Sequence, residues 1–136
     1  SNLYGGSLQL DGNDYISYTR TNDGDFSGQN DYTIECWFNT DVHTTDCGLI
    51  SNWDSGINRS ILFGPNASNG AKLRFIFNTT GSGGWTDLAT DETSQLGKWY
   101  HMAWVYDHSA TRHYAYIDGI LQGSATGTVY NNSTRL

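Results

Sequence analysis

The segment from Trp99 to Gly123 constrains the fold of this chain more than any other part of the sequence. It opens with a run of aromatic and branched residues, WYHMAWVYD, that is too short and too aromatic for a comfortable helix. A polar break begins at Asp107, and Asp118-Gly119 separates two further apolar runs. Asp-Gly between apolar runs is the strongest short-range hairpin signal, because glycine takes the positive φ that a type I′ turn needs. The segment therefore predicts three consecutive antiparallel strands.

The first of these strands is apolar on both of its faces. Its alternating residues are Trp99, His101, Ala103 and Val105 on one face, and Tyr100, Met102, Trp104 and Tyr106 on the other. Such a strand is covered on both sides or presents an aromatic platform on one of them, and both alternatives place it centrally in its sheet. His101 and His113 are expected to face each other across adjacent strands. We interpret them as a core or platform pair, because a zinc site would need further ligands.

The composition supports a fold made of strands and turns. Among 136 residues there are 16 glycines and one proline, and 14% of the residues are aromatic. Outside the segment described above, alternation and turn residues predict strands at 7–10, 15–18, 32–39, 49–50, 60–64, 72–78, 87–90 and 128–130. Short strands at spacings of about 8–12 residues are typical of a sandwich or barrel. The length fits one domain spanning residues 1–136.

The cysteines and the net charge indicate which compartment and which partners suit the chain. If residues 32–39 and 47–52 form a hairpin, Cys36 and Cys47 fall opposite each other, as a cross-strand disulfide or as two small buried hydrophobes. A disulfide would imply an oxidising compartment. The net charge of −7 argues against nucleic acid or an anionic membrane as partner. No apolar run reaches the ~20 residues of a membrane span, and a start at Ser1 is typical of a processed or excised piece.

Segments that together span residues 7–123 resemble the laminin-G-like, concanavalin A-like jelly-roll domains. In order, they are SLQLDGNDYISY, DYTIECWFNT, GLISNWDSG, KLRFIF, GKWYHMAWVYD and YAYIDGIL. The resemblance implies an all-β jelly-roll sandwich of two antiparallel sheets, with a ligand or calcium site in the loops at one rim. Domains of this kind are usually secreted or exposed at a surface. Many are non-catalytic binding modules, and some belong to viral fibres or are appended to glycosidases.

The end of the sequence departs from that family pattern. Family members continue into apolar closing strands, whereas this chain ends at 131–136 with NNSTRL. A missing closing strand would expose a long edge of unpaired backbone groups. We therefore expect residues 124–136 to fold back as a makeshift closing strand, or the chain to be a piece of a larger protein or assembly.

The loops carry residues suited to carbohydrate recognition, in which aromatic rings stack on sugars and polar side chains bind hydroxyl groups. The candidate ligand-binding residues are Trp53, Asp54, Asn58, Arg59, Trp85 and Asp87. The last two follow a glycine-rich loop. For the residues between Trp53 and Arg59, a purely structural role remains the alternative. In that case Trp53 caps the core and Asp54 starts a turn.

The resemblance to the pentraxin branch implies calcium as a cofactor. Asn58 in NRSILF matches a metal-binding position of that branch, but Ile57 stands where its neighbouring Asp would be. A double-calcium site is therefore not expected. A single calcium ion held by Asp54 and Asn58 is the candidate. Asp23 and Asp25 form a second, weaker candidate, for which an acidic surface loop is the alternative.

The sequence does not predict an enzyme. Glycoside hydrolysis needs two carboxyl groups about 5–9.5 Å apart, and the strand neighbours of Glu35 are Thr33 and Trp37. The Glu-x-Asp-x-x-Glu-like cluster of the catalytic branches is also missing. The predicted function is a non-catalytic extracellular carbohydrate-binding or adhesion module with a glycan as partner. The alternative is a structural module of a fibre, virion or surface assembly, which binds neighbouring protein chains or copies of itself.

Overall fold

Eight β-strands form the structure, a computed structural model that describes residues 6–12, 14–17, 30–43, 48–53, 59–66, 70–80 and 83–130. The side chains of residues 52, 53, 59, 60, 66 and 89 are not part of that description. The strands are β1 Tyr32–Phe38, β2 Ile50–Trp53, β3 Arg59–Asn66, β4 Lys72–Asn78, β5 Trp85–Thr93, β6 Tyr100–Asp107, β7 Arg112–Ile117 and β8 Ile120–Thr126. The described residues contain no helix, and so none that is long and apolar enough to cross a membrane.

The strands divide into two antiparallel sheets of four strands each. The first sheet has the order β1-β6-β7-β8, and the second has the order β2-β3-β4-β5. Within each sheet every neighbouring pair of strands is antiparallel. The predicted all-β, two-sheet jelly-roll sandwich of the concanavalin A-like kind is thereby confirmed.

The meander predicted from the segment around Asp118-Gly119 is present as β6, β7 and β8. Asp118 has φ 50° and Gly119 has φ 78°, which are the positive values that a type I′ turn requires at both central residues. The carboxylate of Asp118 also accepts a hydrogen bond from the backbone N–H of His101, at 2.8 Å. The last strand extends to Thr126 and thus runs beyond the predicted segment.

Side chains that alternate along the strands fill the space between the two sheets. The fully buried members with the largest volumes include Trp104, Tyr100, Phe63, Phe75 and Phe77. Phe75 packs edge-on against Phe63, with centroids 5.0 Å apart, and against Trp104, with centroids 6.2 Å apart. These edge-to-face contacts join β3 and β4 of the second sheet to β6 of the first, and each adds about 0.5–1.5 kcal/mol to the burial of the rings.

The predicted hairpin of residues 32–39 with 47–52 is wrong. β1 pairs with β6 in the first sheet, whereas β2 pairs with β3 in the second. The register argument for a disulfide between Cys36 and Cys47 therefore fails. In its reduced form, Cys36 has a thiol whose pKa is raised to about 11 by burial. Cys47 lies outside the described residues, so the pairing stays a prediction.

The two strands predicted near the N-terminus are not strands in the described segments 6–12 and 14–17. Leu8 and Leu10, which fall in the first of these predicted strands, are 66% and 50% exposed. A strand needs a partner for its backbone N–H and C=O groups, and no ladder among the described residues includes this part of the chain.

Residues 127–130 fold back onto the core without forming the strand predicted at 128–130. The N–H of Gly127 donates to the carbonyl of Thr111 at 3.0 Å, and the N–H of Tyr130 donates to the carbonyl of Asn78 at 2.6 Å. Val129, between them, is only 3% exposed. The chain thus passes from β8 of the first sheet to the end of β4 in the second. Residues 131–136 lie outside the described part, and the idea that other segments complete the sandwich stays a prediction.

His113 lies at the centre of this crossing and is fully buried. The indole N–H of Trp104 donates to Nδ1 of His113, and Nε2 of His113 contacts the carbonyl of Gly127, both at 3.0 Å. An indole can only donate and a carbonyl can only accept, so the ring is neutral with its proton on Nε2. Burial lowers the pKa of His113 from its ordinary value of 6.5 to about 4, partly offset by the bond to Gly127.

Lowering the pH should therefore destabilise the protein through His113. In the unfolded chain the imidazole takes up a proton below pH ~6.5, whereas the folded state resists protonation. Its stabilising contribution is complete above pH 6.5 and is lost as the pH falls from 6.5 to about 4. At about 1.4 kcal/mol per pKa unit, the loss amounts to roughly 3 kcal/mol in the free energy of unfolding.

The measurement is urea unfolding of the wild type and of His113→Gln between pH 7.5 and 5. Glutamine keeps a donor and an acceptor but does not titrate. We expect the variant to be less stable at pH 7.5 and to lose about 1 kcal/mol less than the wild type as the pH falls to 5.5. Equal pH dependence in the two proteins would contradict the assignment.

Candidate functional site

Trp85 and Asp87 lie on the outer face of the second sheet. Both belong to β5. Leu88, the residue after Asp87, points into the core, so Trp85 and Asp87 point away from it. Trp85 is 42% exposed. Asp87 forms an ion pair with Arg74 of the neighbouring strand β4, and their side chains are 30% and 21% exposed, respectively. The structure thus places one predicted aromatic residue and one predicted carboxylate on a single surface, together with an arginine that the sequence analysis did not select.

The ladder registers place Trp53 and Trp85 at the same end of the second sheet. One residue from each strand aligns in a row across this sheet: Asn52, Ile61, Phe77 and Thr86. Trp53 and Trp85 each lie one residue beyond that row, at its two outer ends. Arg59 pairs with Trp53 at a register shift in the β2–β3 ladder. The backbones of the two tryptophans are separated by three strand spacings, or about 14 Å. We call this end of the second sheet the tryptophan rim.

A closed turn before β5 positions Trp85. The N–H of Thr79 donates to the carbonyl of Gly84 at 2.8 Å, and the hydroxyl of Thr80 accepts a bond from the N–H of Gly84 at 3.0 Å. A Cβ atom at Gly84 would lie 2.6 Å from Oγ1 of Thr79, so a larger residue there would force the threonine side chains of the turn to move. The predicted glycine-rich turn is therefore tightly hydrogen-bonded where it meets β5.

The remaining predicted site residues lie outside the described part of the chain. This holds for Asp54, Asn58, Asp23 and Asp25, and for the side chains of Trp53 and Arg59. Among the described residues, no group of three or more His, Cys, Asp or Glu side chains could hold a metal ion. Calcium binding by Asp54 and Asn58 stays a prediction.

The outer face of the first sheet carries a second aromatic surface. Trp37 of β1 is 65% exposed and is the ladder partner of His101 on β6. Their ring centroids are 5.1 Å apart, with an interplanar angle of 38°. Nε2 of His101 lies 3.3 Å from Oε2 of Glu35, which is two residues before Trp37 on the same face. Register also aligns Glu35, Ala103 and Tyr116 in one row. We call these five residues the Trp37 platform.

The sequence analysis anticipated this surface only in part. It expected one face of the β6 strand to be covered or to form an aromatic platform, and it named Thr33 and Trp37 as the strand neighbours of Glu35. It did not select Trp37 as a ligand-binding residue. The available signal was the strict alternation of residues 32–39, in which a tryptophan occupies a position that faces away from the core.

The expected pairing of His101 with His113 is wrong. His113 is the ladder partner of Tyr106 and belongs to the inward face of β7, whereas His101 lies on the outward face of β6. Successive residues of a strand point to opposite faces, so these two rings are separated by the sheet itself. They cannot bind one metal ion together.

Among the described residues, Glu35 forms its ion pair with a histidine and not with a second carboxylic acid. Its carboxylate is 61% exposed and pairs with His101, and its neighbours on the same face of β1 are Thr33 and Trp37. Asp118, the acidic group next to His101 in the sheet, binds the backbone N–H of that histidine. This carboxylate therefore holds the β7–β8 turn against β6.

Comparison with solved structures shows a shared fold. A Bacteroides ovatus protein, to which carbohydrate binding has been provisionally ascribed, superposes with a TM-score of 0.59 at 17% identity, over 85% of this chain and 31% of that protein. A heptameric SAP-like pentraxin from Limulus polyphemus superposes with a TM-score of 0.54 at 15% identity, over 88% of this chain and 60% of the pentraxin. The chain therefore spans about a third of the first protein and less than two thirds of the second.

Sequence comparison supports the same grouping. No curated protein matches the chain significantly. The family model of the laminin G type, described as the concanavalin A-like lectin/glucanases superfamily, matches residues 10–135. That range includes every strand of both sheets. By this match and by its fold, the chain belongs to the concanavalin A-like lectin/glucanase superfamily.

Proposed function

We propose that this chain is a non-catalytic carbohydrate-binding module whose ligand lies along the tryptophan rim. The observation that carries the proposal is the half-exposed ring of Trp85, held at the same end of the sheet as Trp53. Exposed aromatic rings bind the apolar faces of sugar rings, and a rim whose two tryptophan backbones are about 14 Å apart suits an oligosaccharide rather than a single sugar. The family and the Bacteroides ovatus neighbour support this class of ligand.

The ion pair of Arg74 and Asp87 would supply directional hydrogen bonds beside Trp85. A guanidinium has five N–H donors and a carboxylate has two acceptor oxygens, so one ion-pair contact leaves both groups able to bind sugar hydroxyls. The pair is partly buried, which restricts both side chains before a ligand arrives. This restriction lowers the entropic cost of binding.

Three further properties belong to this proposal. The module acts outside the cell, as is common for laminin-G-like domains. A calcium ion held by Asp54 and Asn58 would add a polar anchor for the ligand. The absence of catalysis rests on Glu35, whose partner on its own surface is the imidazole of His101 rather than a second carboxyl group.

Trp85→Ala should weaken glycan binding at least about fivefold, because a stacked ring contributes on the order of 1 kcal/mol or more to such a site. The measurement is a glycan array followed by titration calorimetry with the oligosaccharides that bind. Trp53→Ala should have a similar effect. Trp99→Ala is the matched control, since Trp99 is 50% exposed but precedes β6 of the first sheet. Unchanged binding in both rim variants would show that the glycan does not bind along the tryptophan rim.

A specific observation also favours the alternative of a structural module. Four large apolar side chains in the described segments 6–12 and 14–17 are at least half exposed: Leu8, Leu10, Tyr15 and Ile16. Exposed apolar clusters mark contacts with other protein surfaces. The second candidate function is therefore packing against neighbouring chains or copies of this chain through the N-terminal segment.

Light scattering of the purified chain over a range of concentrations tests this candidate. We expect the wild type to associate as concentration rises, and the double variant Leu8→Ser/Ile16→Ser to associate less, because less apolar surface is removed from water on contact. Leu121→Ser is a control, since Leu121 is 52% exposed on β8. A wild type that stays monomeric throughout would exclude assembly through this segment.

A further inference from the structure

We propose that the Trp37 platform is a second binding surface, separate from the tryptophan rim, for the pyranose rings of an uncharged glycan. Its central groups are Trp37, His101 and Glu35, on the outer face of the first sheet. The inward neighbours of these residues, among them Met102 and Trp104, belong to the buried core, so the platform points away from the sandwich.

The ring of Trp37 is both exposed and supported. Its tilted contact with the His101 ring, at 5.1 Å between centroids, holds the indole in place while 65% of the residue stays accessible. His101 is itself fixed, because its backbone N–H binds the carboxylate of Asp118. A ring held in position before the ligand arrives loses little conformational freedom on binding.

Glu35 places hydrogen-bond acceptors next to that ring. Its carboxylate is 61% exposed, and its contact with Nε2 of His101 at 3.3 Å fixes its orientation. A carboxylate accepts bonds through two oxygens, so it suits neighbouring hydroxyl groups of one sugar. An indole face with an oriented carboxylate beside it is the combination that recognises a pyranose ring.

Tyr116 extends the platform across the sheet. It shares one ladder row with Glu35 and Ala103, and it lies two strand spacings, or about 10 Å, from β1. Ala103, between them, is only 8% exposed and offers little surface to a ligand. A second sugar ring would therefore lie against Tyr116.

The charges of the molecule select against acidic glycans. The chain carries a formal net charge of −7, and Glu35 adds an exposed carboxylate at the platform itself. Uronate or sulfate groups would be repelled at short range, where screening by salt is weakest. The ligand class is therefore an uncharged hexose polymer.

The platform and the tryptophan rim lie on opposite sides of the sandwich. Each sheet turns one face to the shared core and the other outward, and the rim belongs to the second sheet. The two surfaces therefore cannot merge into one site. The platform proposal does not depend on the rim, and a protein with both surfaces would hold two glycan chains at once.

Amide and indole NMR signals of the ¹⁵N-labelled 136-residue chain would test the proposal, with calorimetry in parallel. The probes are oligomers of β-linked glucose and of β-linked galactose, with oligogalacturonate as the acidic comparison. We expect a neutral probe to shift the Trp37 indole signal and the amides of β1 and β6. Trp37→Ala should weaken this binding about tenfold, and Glu35→Gln should weaken the neutral probe while improving oligogalacturonate binding. Thr33→Ala, on the same face of β1, is the control.

Each outcome separates the two surfaces. Platform shifts that persist in Trp85→Ala but vanish in Trp37→Ala support the proposal, even if the rim shows no shifts and the rim assignment fails. Shifts confined to the surroundings of Trp85, with unchanged affinity in Trp37→Ala, overturn the platform and leave the rim intact. The platform is also overturned if neither neutral probe shifts it, or if oligogalacturonate binds it as tightly as they do. Unfolding midpoints equal to that of the wild type confirm that the variants are folded.

Discussion

The hydrogen bonds and ring contacts of the buried His113 side chain connect four separate parts of the chain. Trp104 of β6 donates to the ring, the ring donates to Gly127 beyond β8, and Phe77 of β4 packs against it with centroids 4.1 Å apart. A buried polar group without a partner in this core would lower the free energy of unfolding by about 1–3 kcal/mol. These contacts must therefore form together. They hold the returning segment 127–130 against both sheets and specify how the layers meet.

This crowded interior leaves accessible positions on the outward faces of both sheets, although Leu62 and Ile76 on the outward face of the second sheet are themselves buried. Because strand residues alternate, a strand that sends Tyr100 and Trp104 into the core must send His101 and Ala103 to the opposite face. The same alternation exposes Trp37 on β1 and Trp85 on β5. A small β-sandwich can therefore present aromatic rings on two sides without weakening its core. Ion pairs such as Arg74–Asp87 then orient polar groups beside those rings.

Local signals predicted the meander and several single strands well. The residues of β4 were predicted at their observed bounds, and the turn at Asp118-Gly119 has the backbone conformation that its two residues favour. Pairing between distant segments was not predictable in the same way. Residues 32–38 alternate just as well beside β2 as beside β6, because alternation specifies a buried face and not a partner. The wrong hairpin, and with it the argument for the Cys36–Cys47 register, followed from choosing the partner that is near in sequence.

The candidate sites also combine residues that local sequence signals identify with residues that only strand pairing brings together. Trp85 and Asp87 could be selected from the sequence because an aromatic residue and an acid follow a glycine-rich turn. Arg74 could not, because its pairing with Asp87 depends on the β4–β5 register. His101 and Trp37, far apart in the chain, meet only through the β1–β6 ladder.

The sequence by itself determined the class of fold, the tight turn of the meander and the alternation that gives strands such as β1 and β4 one buried face. These properties follow from residues within a few positions of one another, through alternation and the backbone preferences of glycine. Only the tertiary structure decided which strands share a sheet, which ring supports Trp37, and that His113 is a neutral member of the core rather than a partner of His101. Those outcomes depend on contacts between distant segments, whose free energies are set by packing and register, not by local sequence.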